Sequence, residues 1–524
     1  MAEHIYEKED LVNRFDNILG ITLEKIDNKG FFERVQAYSL QKGVAGSLIE
    51  QCVLGYEPDS KQEADLIVVD GNKNIKTELK TTGMVLSDTA HPHFVAKEPM
   101  SITAVGVYDI ADQTFETSHF WEKLEHMLIV YYHYLADHPV EAYDYRTFPV
   151  KGYEFHEFEE IEVEALRQDW EHVRELAARI VSHYPGEHTK EWKEAVKQEY
   201  IDTHGELRRV LNYVDLAPKF PPRFRLKKPV VSSIISKHFG YELEQLPGKY
   251  TSVSDIDVKC DELTRKYKGK TIGQLAENFD ITVISPTGKE KKGIAEEITI
   301  SMFGGKSKKL NQIELFSRFG LIGKSIVLTS KGGRTEDMKL FHVDFDEITR
   351  NEIIDSDGSV RTYEFEDSDL YSYFADHEFL CIVFQESDVT LVETQNNVDY
   401  VIEQTNYELS QNRFVGFKRL VFSDEFIDTA VRGLWEDIRD KVLNYKLVDV
   451  VKKDKNGKPV INPNGEVSSA PNFMKSSQNT VFLRGSGTDS SFKTEIVNGI
   501  KMLPQYVWIK GSAIVEEIRK DNMR

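Results

Sequence analysis

The sequence has few cysteines and no long apolar run, and each absence narrows the class of protein. Its three cysteines, Cys52, Cys260 and Cys381, are far apart and lack the Cys-x-x-Cys spacing of zinc and redox sites. No apolar run approaches the roughly 20 residues that span a bilayer. Residues 1–10 mix acids and bases without the apolar stretch of a secretory signal. We therefore expect buried thiols in a cytoplasmic protein.

Positive charge is also scarce, since 66 Lys and Arg face 87 Asp and Glu, a net charge of −21. Such a chain cannot coat nucleic acid generally, because sequence-independent binding depends on neutralising phosphates with basic side chains. One stretch, 219–228, holds five basic residues and no acid. It predicts local contacts with a DNA backbone, although a solvated face remains the alternative. Its basic residues are Lys219, Arg223, Arg225, Lys227 and Lys228.

The length of 524 residues favours two to four domains at roughly 150 residues each. The pattern breaks into polar and turn-forming residues around Leu246-Pro247-Gly248-Lys249. We expect a first domain over 1–245, a linker over 246–265 and a second domain over 266–524.

The two domains share an order of short matches, which predicts a duplicated domain even though each match alone is weak. The matched pairs, in chain order, are 20–23 with 269–272, 46–50 with 293–297, 64–66 with 313–315, 76–82 with 324–330, 165–171 with 431–437, and 222–228 with 504–510. In this comparison Ile326 and Leu328 stand where Glu78 and Lys80 stand in the first copy. The second copy thus lacks the carboxylate and the ammonium group that Glu78 and Lys80 supply in the first copy.

Residues 64–82 predict a β-hairpin, because two β-branched segments flank the turn formers that follow Val69. If Val69 pairs with Asn74, Asp65 lies opposite Glu78, with Cβ atoms about 5 Å apart. Lys80 then points to the same face as Glu78. A turn one residue longer would place the two carboxylates on opposite faces, so this prediction depends on the register.

Two carboxylates and a lysine on one face suit phosphodiester hydrolysis. Carboxylates hold Mg²⁺, which stabilises charge on a phosphate and lowers the pKa of an attacking water that a lysine can orient. Glu50, in a predicted helix that ends at Gly55, could add a third carboxylate. The alternative is that Glu78-x-Lys80 is an exposed strand pair.

The pattern around this hairpin resembles the MutH family, which joins a mismatch-repair nicking endonuclease to restriction endonucleases. Some of the latter are two-lobed enzymes that cut at GATC. The similarity covers most of residues 15–240 in order. It rests on Glu50, Asp65, Glu78-Leu79-Lys80, the run 115–119 with Lys123, the segment 166–171, and Leu226-Lys227-Lys228 before 232–239.

The resemblance implies an α/β fold with a mixed sheet flanked by helices, the restriction-endonuclease-like PD-(D/E)xK fold, in two tandem lobes. It implies a Mg²⁺ site at Glu50, Asp65 and Glu78, with Lys80 as catalytic lysine and Lys123 as a second active-site lysine. From the residues alone, Lys123 could equally pair with a phosphate or with Glu116.

The chain departs from the family after His204-Gly205-Glu206, where an Arg-Pro-Lys-like DNA-reading loop is expected and 207–213 differs. Arg484 in the second copy is closer to that loop, and an arginine can read guanine bidentately. We therefore predict that Arg484 and Lys510 bind DNA in a second lobe that cannot cut.

The leading hypothesis is a type II restriction endonuclease that binds two copies of double-stranded DNA per chain and cuts at GATC or a related short site. It would be a monomer in solution and a dimer or a looped assembly on DNA. A MutH-like nicking endonuclease and a non-catalytic DNA-binding regulator are the alternatives.

Overall fold

The structure is a computed structural model. It describes residues 4–35, 43–57, 64–87, 92–136, 140–185, 188–216, 220–285, 288, 291, 293–329, 333, 336–354, 360–386, 409–462, 465–487 and 492–520. In this part of the chain no helix has the length and apolar composition needed to cross a membrane. The chain forms two compact units. The first comprises Met1–Glu242, Arg318–Gly320 and Asp346–Asp376, and the second comprises Leu243–Ser317, Leu321–Phe345 and His377–Arg524.

The elements before residue 243 comprise nine strands and eight α-helices in the described part of the chain. The strands are β1 (Ile5–Glu7), β2 (Leu66–Asp70), β3 (Lys73–Leu86), β4 (Phe94–Ala96), β5 (Met100–Ala104), β6 (Met127–His133), β7 (Val150–His156), β8 (Val214–Leu216) and β9 (Arg223–Leu226). The α-helices are α1 (Lys8–Asp16), α2 (Leu23–Ile26), α3 (Phe31–Val35), α4 (Val44–Leu48), α5 (His119–Glu122), α6 (Glu160–Ser182), α7 (Lys190–Thr203) and α8 (Lys228–His238). A π-helix, Ile49–Leu54, continues α4, and 3₁₀ turns lie at Ile110–Asp112, Phe115–Thr117, Ala142–Thr147 and His204–Arg209.

The remaining described elements are also a mixture of strands and helices. The strands are β10 (Leu321–Leu328), β11 (Met338–His342), β12 (Glu352–Ile354), β13 (Val360–Thr362), β14 (Glu378–Gln385), β15 (Arg413–Leu420), β16 (Asp449–Val451), β17 (Ser469–Pro471), β18 (Val481–Gly485), β19 (Glu495–Val497), β20 (Ile500–Met502) and β21 (Gln505–Ile509). The α-helices are α9 (Val253–Tyr267), α10 (Ile272–Asn278), α11 (Ile294–Met302), α12 (Glu314–Arg318), α13 (Phe345–Ile348), α14 (Asp369–Asp376), α15 (Asp424–Phe426), α16 (Arg432–Leu443) and α17 (Gly511–Lys520). A π-helix lies at Ile427–Val431, and 3₁₀ turns lie at Leu310–Gln312, Phe365–Asp367 and Leu409–Gln411.

The main sheet of the first unit has the order β1-β2-β3-β6-β7, with β4 paired to β3. It is mixed, since β3 runs parallel to β6 and antiparallel to β2, and β6 runs antiparallel to β7. Leu128 and Val130 of β6 share one buried core with Phe15 of α1 and Leu48 of α4. Side chains alternate along a strand, so the opposite face presents Glu78 and Lys80. The predicted mixed sheet flanked by helices is therefore present.

The hairpin forms in the predicted register. Val69 pairs with Asn74, and Asp70 pairs with Lys73 around a tight turn in which Gly71 has a φ of 62°. Glycine suits this position because it adopts positive φ without a Cβ penalty. Asp65 directly precedes β2, so the same register places it beside Glu78.

The second unit repeats part of the strand order of the first. In the main sheet of the first unit β3 runs parallel to β6 and β6 antiparallel to β7, and in the second β10 runs parallel to β14 and β14 antiparallel to β15. Each unit also has a small antiparallel sheet, β5-β9-β8 in the first and β11-β21-β18 in the second. Equal strand directions in both pairs of sheets support the duplication.

A local motif also recurs in the two halves of the chain. Phe115–Thr117 and Phe365–Asp367 are 3₁₀ turns, each followed by a serine. The hydroxyl of Ser118 donates to the Phe115 carbonyl over 2.6 Å, and that of Ser368 donates to the Phe365 carbonyl over 2.6 Å. The sequence comparison missed this match, which aligns Lys123 with Tyr373.

An aspartate on a helix is a further common feature, with Asp169 buried and Asp437 half-buried. Asp169 of α6 accepts hydrogen bonds from the backbone N–H groups of Asn212, Tyr213 and Val214. Asp437 of α16 accepts one from the backbone N–H of Met474 over 2.9 Å. In both units the carboxylate therefore fixes the chain that leads toward the small sheet.

The segment 246–265, expected to be a linker, instead forms much of α9 within the second unit. Ser252 caps this helix by accepting a hydrogen bond from the Asp255 N–H. Its buried residues recur every three or four positions, Val253, Ile256, Cys260, Leu263 and Tyr267, which is the apolar face of a packed helix. The division between the units falls earlier, between Glu242 and Leu243, and residues 346–376 belong to the first unit.

Candidate active site

The site is built from the hairpin β2-β3, the strand β6 and the short helix α5. Asp65 stands at the start of the hairpin, and its Oδ2 accepts a hydrogen bond from the Leu79 N–H over 3.0 Å. Burial and the nearby Glu78 carboxylate raise the pKa of Asp65 to about 6, although Lys123, Lys80 and the Leu79 N–H act in the opposite direction. Asp65 is thus held in a desolvated environment beside a second carboxylate.

Two lysines converge on Glu78. Lys80 Nζ lies 2.8 Å from Glu78 Oε1, and Lys123 Nζ lies 3.0 Å and 2.8 Å from its two carboxylate oxygens. The side chains of Glu78, Lys80 and Lys123 are 4%, 16% and 11% exposed. The three charged side chains therefore contact one another largely away from solvent. This arrangement differs from the alternative, in which Glu78 and Lys80 form an exposed pair on a strand.

The local sequence explains how Lys123 reaches Glu78. Ser118 caps α5 by accepting a hydrogen bond from the Trp121 N–H over 3.1 Å, and Lys123 follows the last residue of that helix. The chain then enters β6, where Met127 pairs directly with Glu78. The structure thereby brings together Asp65, Glu78 and Lys80, as the hairpin register predicted, and adds Lys123, which only the family resemblance had implied.

Glu50 lies in the π-helix that precedes β2. Its carbonyl accepts hydrogen bonds from the N–H groups of Gly55 and Tyr56 over 2.7 Å and 3.1 Å. Gly55 ends the helix in the left-handed region with a φ of 92°. The sequence predicted this helix and its end, but not Tyr56, since a lone tyrosine after a helix carries no specific signal.

The carboxylates suit a hard cation only in part. Within the residues that the structure describes, no group of three or more His, Cys, Asp or Glu side chains is placed to hold a metal ion. Mg²⁺, however, commonly binds through one or two carboxylates and keeps several waters. Asp65 and Glu78 supply such oxygens, and the buried Tyr56 hydroxyl has no hydrogen-bond partner among the described residues. The donor chemistry therefore fits a cation bound by two carboxylates.

A half-buried carboxylate, Glu154 of β7, faces two histidines. Glu154 accepts a hydrogen bond from the Tyr131 hydroxyl, and its carboxylate oxygens lie 3.7 Å and 3.3 Å from Nδ1 of His156 and His238. Burial raises the pKa of Glu154, but the nearby imidazoles of His156 and His238 and the hydrogen bond from Tyr131 outweigh it and hold the pKa at about 2.

We expect Glu154 to stabilise the fold above about pH 5 and to lose this effect in acid. Its folded pKa lies below the usual value of about 4.3, so protonation as the pH falls toward 2 removes about 2–3 kcal/mol. The melting temperature of a Glu154→Gln variant should lie well below that of the wild type at pH 6, and the difference should shrink at pH 3. A difference that does not change with pH would contradict this assignment.

Part of the basic stretch is engaged inside the first unit, contrary to the prediction that it contacts DNA. Lys227 is buried, and its Nζ donates to the Leu211 carbonyl over 2.6 Å. Arg225 forms a bidentate pair with Asp215, its cross-strand neighbour, over 3.0 Å and 2.6 Å. The aliphatic stems of lysine and arginine pack readily inside a protein when an acceptor binds the charged end. A pattern of charges in the sequence does not show whether such an acceptor is present.

The rest of the stretch fits the prediction better. Arg223 is exposed on β9, and Lys228 is half-buried at the start of α8. Lys219 lies outside the described residues. Among the described residues of this stretch, the accessible cations are therefore Arg223 and Lys228.

In the second unit Arg484 lies on the sheet β11-β21-β18. Its Nη2 donates to Asp337 over 2.7 Å, its guanidinium lies 4.8 Å from the ring centre of Trp508, and the side chain is 44% exposed. On the same sheet the Lys339 ammonium lies 3.4 Å from the ring centre of Tyr506. Lys510 is half-buried directly after β21. This face combines cations with aromatic rings, as nucleic-acid surfaces often do.

The strand register gives a structural alignment of the two copies. The pairing of β6 with β7 shifts after Tyr131, and the pairing of β14 with β15 shifts after Val383. On the neighbouring strand Tyr131 pairs with Thr82 and Val383 pairs with Ile326. Thr82 and Ile326 are therefore equivalent.

Counting back from Thr82 on β3 and from Ile326 on β10 gives an alignment that differs from the one that the sequence predicted. The predicted pairs were Ile326 with Glu78 and Leu328 with Lys80, whereas the register aligns Ile322 with Glu78 and Lys324 with Lys80. The error of four residues arose because short β-branched segments match equally well in several registers. An apolar residue replaces Glu78 in either alignment, so the second unit lacks this carboxylate.

Comparison with known proteins supports the resemblance to the MutH family. Residues 54–169 match the family model described as DNA mismatch repair enzyme MutH. This segment is thus similar to that family, whose restriction-endonuclease-like fold agrees with the mixed sheet, and the resemblance inferred from the residues is confirmed. The matched segment contains Asp65, Glu78, Lys80 and Lys123, while Glu50 lies just before it.

A particular relative extends the similarity beyond this domain. The chain is 22% identical over 361 residues to the type II restriction enzyme Sau3AI of Staphylococcus aureus. The alignment covers 67% of this chain and 65% of that relative. The chain therefore spans less than two thirds of the length of the protein it matches.

Proposed function

We propose that the protein is a type II restriction endonuclease that hydrolyses double-stranded DNA with Mg²⁺ at GATC or a related short site. The observation that carries this proposal is the buried cluster of Glu78 with Lys80 and Lys123 beside Asp65, in a MutH-family domain. The similarity to a type II restriction enzyme supports site-specific cutting of both strands.

Each residue of the cluster has a chemical role in this proposal. Asp65 and Glu78 supply the carboxylate oxygens for the cation, and Glu50 supplies a third one nearby. Bound Mg²⁺ would stabilise charge on the phosphate and lower the pKa of a water. Lys80 orients the attacking water, and Lys123 holds Glu78 in place and neutralises charge at the phosphate. Both lysines contact Glu78, which places them beside the proposed cation site.

Cutting of both strands distinguishes restriction from nicking. A supercoiled plasmid incubated with the protein and Mg²⁺ should become linear, with little nicked circle accumulating. Nicked circle as the final product would instead favour a MutH-like nicking endonuclease. Intact plasmid together with specific DNA binding would favour a non-catalytic regulator.

The accessible cations of the basic stretch should contact the DNA backbone in this proposal. We expect Arg223→Ala with Lys228→Ala to weaken binding to all sequences alike and to lower the salt slope by about two, roughly one for each lost phosphate contact. Equilibrium binding at several salt concentrations measures this slope. An unchanged slope would assign both residues to a solvated face.

Lys227→Ala is the matched control for the same stretch. Its ammonium donates to a buried carbonyl, so its loss should destabilise the first unit by about 1–3 kcal/mol without changing the salt slope. Chemical denaturation measures this free energy of unfolding. A reduced salt slope in this variant would restore Lys227 to the DNA contacts.

We propose that the second unit binds a further copy of the DNA and does not cut. Arg484, Lys339 and the rings beside them support binding, and Lys510 lies next to this sheet. The apolar Ile322 at the position of Glu78 supports the absence of cutting. A chain with two DNA sites can act as a monomer or join two sites in a looped assembly.

A further inference from the structure

Tyr56 has a buried hydroxyl that makes no hydrogen bond within the described part of the first unit. Its Oη is inaccessible to solvent and has no hydrogen-bond partner among the described residues. A buried polar group without a partner destabilises a protein, so such groups are rare in folded chains. The exceptions often mark a position that another component of the site completes.

The backbone around Tyr56 fixes the ring in place. The left-handed Gly55 turns the chain so that the Tyr56 N–H donates to the Glu50 carbonyl over 3.1 Å. On one side the ring packs against His4, with the ring centres 3.9 Å apart. The phenol is therefore anchored to the helical turn that holds Glu50.

The charges around the hydroxyl are the carboxylates of the proposed metal site. Burial raises the pKa of Tyr56, and the carboxylates of Glu50, Asp65 and Glu78 raise it further, with Glu50 the strongest of the three. The hydroxyl is therefore a protonated hydrogen-bond donor close to acceptors. None of them takes its hydrogen bond in the arrangement that the structure describes.

We propose, on the basis of the proposed function, that Tyr56 is a positioning residue that donates a hydrogen bond to the Glu50 carboxylate when the site holds its cation. Carboxylates that bind metals are themselves usually held by hydrogen bonds, which set their orientation. The unsatisfied hydroxyl then gains its partner on metal binding. Tyr56 thus links metal binding to the order of the π-helix.

The test is Tyr56→Phe in the full chain, with Ca²⁺ as the probe ion. We expect the dissociation constant for Ca²⁺, measured by calorimetry, to rise about tenfold, the lower end of the effect of such positioning contacts. The Mg²⁺ concentration for half-maximal cleavage should rise in parallel. Without divalent ions the variant should melt at or above the wild-type temperature, because it loses no hydrogen bond.

Tyr6→Phe is the matched control. The Tyr6 hydroxyl donates to the Leu54 carbonyl over 2.9 Å, so this variant should melt at a lower temperature but bind Ca²⁺ like the wild type. Tyr56→Phe should add no further loss to Glu50→Gln, because the two residues act through one contact. Additive losses, or wild-type Ca²⁺ affinity in Tyr56→Phe, would overturn the inference. Failure of the wild type to bind Ca²⁺ and to cut DNA would overturn the proposed function instead.

Discussion

Glu78→Gln and Lys80→Ala should each lower the cleavage rate by at least about 10²–10³-fold, the loss typical of single groups that stabilise charge in a transition state. Glu78 combines a metal-binding oxygen with the contacts to both lysines, so its neutral amide cannot replace it. Single-turnover cleavage at saturating protein measures the rate. DNA binding in Ca²⁺, which activates water poorly, should remain near wild type.

Glu122→Gln is the control for this prediction. Glu122 lies next to Lys123, but its carboxylate pairs with Lys76 over 2.7 Å and not with the cluster. This variant should therefore cut at nearly the wild-type rate. Near-normal cutting by Glu78→Gln would show that the assigned site is wrong, even if the protein is a nuclease.

A plasmid with two target sites should be cut about 5–150 times faster than a plasmid with one, the range typical of allosteric coupling. The reason is that DNA bound to the second unit would favour the cutting-competent state of the first. A short target duplex added in trans should stimulate cutting of the one-site plasmid. Initial rates on both substrates measure the coupling.

Arg484→Ala should remove this stimulation without changing the single-turnover rate at saturating protein. Arg432→Ala is its control, since this arginine also lies in the second unit and pairs with Asp428, one helical turn before it. Equal rates on the one-site and two-site plasmids in the wild type would leave the second unit with a structural or dimerising role.

Much of the candidate site could be predicted from the sequence because it lies on local structure. The turn formers after Val69 determine the pairing with Asn74, and this register brings Asp65 beside Glu78. Lys123 is different, since its contact with Glu78 depends on the parallel pairing of β3 with β6. Only the resemblance to a family supplied that residue.

The wrong predictions concern residues whose role depends on burial, which the local sequence pattern does not show. Lys227 and Arg225 belong to an acid-free stretch, yet their partners Leu211 and Asp215 lie on neighbouring segments that fold over them. The expected linker became α9 because its apolar residues, spaced for a helix, outweigh the turn formers before them. The sequence does not single out Tyr56, because the feature that distinguishes it is a buried hydroxyl without a hydrogen-bond partner among the described residues. That feature is visible only in the structure.

The most direct test of the central claim is to sequence the DNA ends that the purified protein produces from a plasmid, with Mg²⁺ and without it. We predict ends that map to one short sequence on both strands, formed only with Mg²⁺ and absent with Glu78→Gln. Ends spread over unrelated sequences, or the same ends from Glu78→Gln, would contradict a site-specific endonuclease that uses this cluster.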